Sequence, residues 1–129
     1  MASAGIKTNG TGTAGVFTFG GTDSINWDAG GAYMSPLSAN AGTFDLALGH
    51  NFTCTPTGNI TLTFSGITGR GGKSGTIMLV NSSNYSVSKA ATTKSDGNFT
   101  TNVSASGTYR LTYYCDGTNV YINTSLAQI

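Results

Sequence analysis

The stretch Tyr109-Arg-Leu-Thr-Tyr-Tyr-Cys-Asp-Gly-Thr-Asn-Val-Tyr-Ile constrains this chain more than any other, because it joins strict alternation to the chemistry of a chain reversal. Tyr109, Leu111, Tyr113 and Cys115 fall on one side of an extended strand, and Arg110, Thr112, Tyr114 and Asp116 on the other. Asp116-Gly117 supplies the positive φ angles of a tight reversal, so a β-hairpin closed by Val120 to Asn123 is expected.

Earlier stretches follow the same logic. Ile60, Leu62 and Phe64 alternate with Thr61 and Thr63, and a glycine-rich turn from Ser65 to Gly75 follows. Thr76 to Val80 is apolar on both faces, as expected of a strand at the centre of a sheet or in a subunit contact. Thr43 to Cys54 keeps one parity, placing Phe44, Leu46, Leu48, His50, Phe52 and Cys54 on one side provided that Gly49 bends without a slip of register. Val16 to Gly21 reads as a short strand with Phe17 and Phe19 on one face, and residues 22–42 as a loop-rich excursion. Asn81 to Asn84 is a turn, Tyr85 and Val87 a weak strand, Lys89 to Asn98 a polar loop and Phe99 to Val103 another strand.

Composition narrows the class to all-β. The chain has 19 glycines and no glutamate, and it is rich in Thr, Ser and Asn, so the residues that solvate helices are scarce. Its 129 residues suit one domain: an N-terminal arm at residues 1–15 and a single antiparallel β-sandwich, jelly-roll-like, at residues 16–129. The arm has only Ile6 as an aliphatic residue and cannot repay its own ordering, so a neighbouring subunit is expected to hold it. With a net charge of +1 and 9% charged residues there is no basic stripe, which argues against nucleic acid or an anionic membrane as partner. Low charge also suits a chain that lives inside an assembly. No apolar run of signal-peptide or membrane-spanning length occurs, so folding in the compartment of synthesis is expected.

Little in the sequence points to catalysis, a cofactor or a metal. His50 is the only histidine and falls on an apolar face, with no acid or nucleophile placed by spacing to act with it. Cys54, Cys115 and His50 lack the spacing of a zinc site, and the five aspartates lack the alternation of a calcium loop. Both cysteines face inward and are expected as buried free thiols. Gly66-Ile-Thr-Gly-Arg-Gly-Gly-Lys-Ser looks like a phosphate loop, but Ile67 stands where the motif needs glycine and a strand pattern follows where it needs a helix. Arg70 and Lys73 are candidate rim charges facing an acidic partner. Trp27, Tyr114 and Tyr121 are candidate sugar-stacking aromatics, and equally candidates for core or subunit contacts.

The run Asn59-Ile-Thr-Leu-Thr-Phe-Ser-Gly, then Gly75-Thr-Ile-Met-Leu-Val, then Tyr109-Arg-Leu-Thr-Tyr-Tyr-Cys-Asp-Gly-Thr-Asn-Val-Tyr resembles a pattern of tailed-bacteriophage virion proteins over residues 58–122. Where those proteins carry Trp-Pro between the middle strands, this chain has Tyr85-Ser-Val-Ser. The resemblance implies a structural β module of the virion. Chain size favours a capsid decoration, or cement, protein on the head surface, assembled in the bacterial host cytoplasm and acting without catalysis. Its expected partners are the major capsid protein and further copies of itself, as a trimer, with contacts at Ile6, Lys7, Val16, Phe17, Arg70 and Lys73. The alternative is a tail-fibre or tail-tip module that binds a host-surface glycan through Trp27, Tyr114 and Tyr121.

Overall fold

The computed structural model describes residues 35–124. The expected arm, the strand at Val16 to Gly21 and Trp27 lie outside the described residues. What is described is mainly β: β1 (Leu37–Ser38), β2 (Thr43–Asp45), β3 (Asn51–Cys54), β4 (Ile60–Ser65), β5 (Ser74–Asn81), β6 (Val87–Lys89), β7 (Thr93–Lys94), one helix α1 (Phe99–Ser104), β8 (Gly107–Cys115) and β9 (Val120–Thr124). They form a six-stranded sheet in the order β1-β3-β5-β8-β9-β7 and a three-stranded sheet in the order β2-β4-β6.

The expected antiparallel architecture is corrected by the pairing. Only β5 with β8 and β8 with β9 are antiparallel; β1 with β3, β3 with β5, β2 with β4, β4 with β6 and β7 with β9 are parallel. The cause is the path of the chain, which passes from one sheet to the other at each connection from β1 to β6. Each passage reverses the chain, so a strand that returns to the same sheet runs parallel to the one that left it. Residues 37–89 therefore trace three turns of a flattened coil, and the antiparallel hairpin β8–β9 is laid along its last strand in the larger sheet.

Alternation decides which residues meet between the sheets. Phe52 and Cys54 of β3, Ile77 and Leu79 of β5, Tyr109, Leu111, Tyr113 and Cys115 of β8, and Val120 and Ile122 of β9 are buried. Phe44, Ile60, Leu62, Phe64 and Val87 of the smaller sheet join them in one cluster. Ring contacts link the sheets: Phe44 meets Phe52 edge-on at 5.3 Å, and Phe64 meets Tyr113 at 5.1 Å. β5 is an interior strand, as its two apolar faces suggest, although its outer residue Met78 is 37% exposed.

Two further expectations are corrected. Thr43 to Cys54 is not one strand: residues 46–48 form a turn that carries the chain from β2 to β3, leaving Leu46 buried and sending Leu48 into solvent. Phe99 to Val103 is helix, not strand. Phe99 and Val103 lie four residues apart, a spacing that shares one face in either structure, and the helix uses it to bury both against the core. The hairpin reversal also differs in detail. Of its residues Asp116–Asn119 only Gly117, at φ 94°, is left-handed, while Asp116 Oδ1 accepts the backbone N–H of Thr118 and of Asn119 at 2.8 and 2.6 Å.

Candidate functional surface

Outward-facing residues of the larger sheet build a flat face by register alone. Asn51, Thr76, Thr112 and Asn123 line up across β3, β5, β8 and β9, and Thr53, Met78 and Arg110 form a neighbouring row. Toward the hairpin end, Ser74, Tyr114, Tyr121 and Lys94 form a third row across β5, β8, β9 and β7. Hydroxyl and amide groups dominate, with Met78, Tyr114 and Tyr121 as the exposed large hydrophobic side chains on this face.

Tyr114 and Tyr121 are direct register partners and stand 51% and 48% exposed, so two of the three aromatics singled out in the sequence are brought together; Trp27 lies outside the described residues. The Tyr121 phenol and the Asp116 carboxylate interact, each shifting the titration of the other. Asp116 stands two residues beyond Tyr114 on the same side of the chain, diagonal to Tyr121. Hydrogen bonds from the backbone N–H of Asn119 and Thr118, and then from Tyr121, hold the Asp116 carboxyl below its ordinary value; the same bond to the carboxylate raises the Tyr121 phenol. Beside Tyr121 a shallow cleft of about 380 Å³ is lined by Lys94, Ser95, Asp96, Tyr121, Ile122 and Asn123. Sequence reading missed Lys94, Asp96 and Asn123, because only the parallel pairing of β7 with β9 brings the first two against the tyrosines.

A second open cleft, about 600 Å³, follows β6 and α1, between Ser86, Val87, Ser88 and Lys89 on one side and Thr100, Thr101 and Ser104 on the other. Here the Ser104 hydroxyl accepts the Val87 N–H at 2.9 Å and also lies 3.5 Å from the Val87 carbonyl, and it donates to Thr100 O at 2.6 Å. Ser104 thus occupies backbone groups on an edge strand that another strand would otherwise pair with.

Arg70 and Lys73, the candidate rim charges, lie half-buried in the loop between β4 and β5. Arg70 donates to the carbonyls of Gly66 at 2.9 Å and Thr68 at 3.4 Å, and Lys73 donates to the carbonyl of Leu46. Both cations hold backbone of their own neighbourhood. Ile6, Lys7, Val16 and Phe17 lie outside the described residues. The carbonyl of half-buried His50 accepts the Tyr113 hydroxyl at 2.6 Å. Cys54 and Cys115 are buried free thiols, and desolvation pushes Cys54 up to about 11. The loop that imitates a phosphate motif leads into strand β5. Among the described residues no group of three or more His, Cys, Asp or Glu could hold a metal ion, and no helix is long and apolar enough to cross a membrane.

Comparison with protein-family models, with curated proteins and with solved structures found no match.

Proposed function

We propose that the chain is a non-enzymatic bacteriophage capsid decoration protein, binding the outer surface of the assembled head as a homotrimer through contacts with the major capsid protein. The reading rests on the resemblance over residues 58–122, and one observation carries it. The three matching stretches correspond to β4, β5 and the β8–β9 hairpin, whose inward residues build the core and whose outward residues are chiefly Thr, Ser, Asn and Tyr. The shared pattern is thus that of a rigid body with an adhesive surface. We read the two sheets as a β-sandwich, supported by the ring contacts between them; the parallel coil does not favour a jelly roll.

The mechanism is mass action. A module that binds only the assembled shell stabilises that state, and a tether reaching a second subunit adds avidity by making the second contact intramolecular. A durable contact buries more than about 1,000 Å². Deleting residues 2–15 tests the reading: occupancy on purified heads is expected to fall while the circular dichroism of the β body is retained. Undiminished occupancy would count against it. A second reading, a tail module that binds a host-surface glycan, is favoured by the pairing of Tyr114 with Tyr121.

A further inference from the structure

We infer that Tyr114, Tyr121 and the adjoining cleft of Lys94, Asp96 and Asn123 form a binding site for a neutral, pyranose-containing glycan, lying along the sheet rather than enclosed by it. The inference deepens the glycan reading and is independent of how the chain attaches to a virion.

Three observations point to this ligand chemistry. First, a pyranose presents a face of C–H groups edged by hydroxyls, and it stacks on an aromatic ring that offers its face beside polar groups. Tyr121 stands 48% exposed on the outward face of β9, beside the polar groups that line the cleft. Tyr114 extends the platform, since directly opposed residues of paired strands have Cβ atoms about 5 Å apart.

Second, the groups around the platform suit hydroxyls. Asp96 uses Oδ1 to accept the Asn98 N–H at 3.0 Å, leaving Oδ2 as an acceptor at the cleft. Asn123, on the same side of β9 as Tyr121, offers both a donor and an acceptor. Lys94, which lines the cleft, donates to Ala91 O at 2.6 Å and keeps further N–H groups as donors.

Third, charge selects among sugars. Two carboxylates, Asp96 and Asp116, flank Tyr121 against the single Lys94 of the cleft, so a sialic or uronic acid would meet net repulsion. The shallowness of the cleft fits several residues of an extended glycan better than one engulfed monosaccharide.

The test presents the full chain to an array of neutral, sialylated and uronate-containing glycans, then titrates the strongest neutral hit calorimetrically against variants with unchanged melting temperature. Neutral glycans are expected to bind. Tyr121→Ala should weaken affinity about tenfold or more, Asp96→Asn several-fold, and Tyr121→Phe, which keeps the ring, by much less than Tyr121→Ala. Binding confined to sialylated or uronate glycans overturns the inference while leaving the glycan reading intact. So does neutral binding that survives Tyr121→Ala and Tyr114→Ala but is lost in Trp27→Ala. Binding to no glycan at all overturns both.

Discussion

Residues 37–89 and residues 107–124 both end as alternating strands with one face in the core, yet they are specified differently. In the hairpin, partners such as Cys115 and Val120 are near in sequence, and the Asp116 side chain satisfies two backbone donors of the loop that joins them. In the coil, partners lie far apart, Leu37 against Phe52 and Ile60 against Val87, and no short loop sets their register. Register there is enforced by burial, since a slip by one residue would expose Phe52, Leu62 or Ile77 and bury threonine. Local turn chemistry can fix one pair of strands, whereas the parallel pairs stand only if the common core forms. The two regions should therefore respond differently to damage.

The sharpest way to break the comparison is at the seam. Gly75 lies on β5 opposite Tyr113 of β8, and a Cβ there would fall 1.7 Å from the His50 carbonyl oxygen and 2.8 Å from the Tyr113 hydroxyl. Those are the two atoms joined by the hydrogen bond between hairpin and coil. Gly75→Ala is expected to cost about 3 kcal/mol or more, because the backbone at His50, just before β3, must yield. Urea unfolding checks this; a loss under about 1 kcal/mol would mean that the seam is pliant.

A smaller loss should come from the polar end of β5. Asn81 is fully buried on the inward parity of Ile77 and Leu79, and its amide donates to the carbonyls of Tyr85 at 2.8 Å, Val103 at 3.0 Å and Ser104 at 3.3 Å. Its Oδ1 accepts the Tyr85 N–H at 3.0 Å. One side chain thus closes the turn after β5 and fastens the end of α1. Asn81→Ala strands those groups and should cost about 2 kcal/mol, read from the denaturation midpoint at constant slope. Amide exchange resolves it further: protection should fall first at Tyr85 and around α1, with the β8–β9 amides affected only as far as global stability drops.

These cases also explain what could be read from the sequence. Alternation in Ile60–Phe64 and Tyr109–Cys115 identified inward faces correctly, because a period of two is a property of each strand by itself. Strand direction was not legible. Nothing in Thr43–Cys54 marks residues 46–48 as a passage between sheets, and parity survives that passage with Phe44 and Phe52 both buried. Phe99 to Val103 reads as a strand in the sequence and folds as helix, because a spacing of four satisfies both and tertiary cover of the core decides for helix. At the candidate site, Tyr114 and Tyr121 could be paired from the hairpin pattern. Lys94 and Asp96 could not, since they arrive through a parallel edge pairing from a segment that reads as polar loop.

The smallest effect belongs to the hairpin loop, and its pH dependence has two edges. Asp116 has its carboxyl held below the unfolded value of 3.8, so its stabilisation is complete above that value and fades as pH falls through the lower folded one. Tyr121 has its phenol raised above 10.0 by the bond to Asp116, so that contribution is complete below 10.0 and is lost as pH rises through the higher folded value. The stability gap between the native protein and Asp116→Ala should therefore be a plateau between about pH 4 and 10, closing on the acid side and narrowing on the alkaline side, when melting temperatures are compared across pH. Tyr121→Phe should abolish the alkaline edge that this phenol contributes and leave the acid edge, because the backbone donors of Thr118 and Asn119 remain on Asp116. A gap that does not change with pH would show that the loop is held by Gly117 and the flanking strands alone, and that Tyr121 does not interact with Asp116.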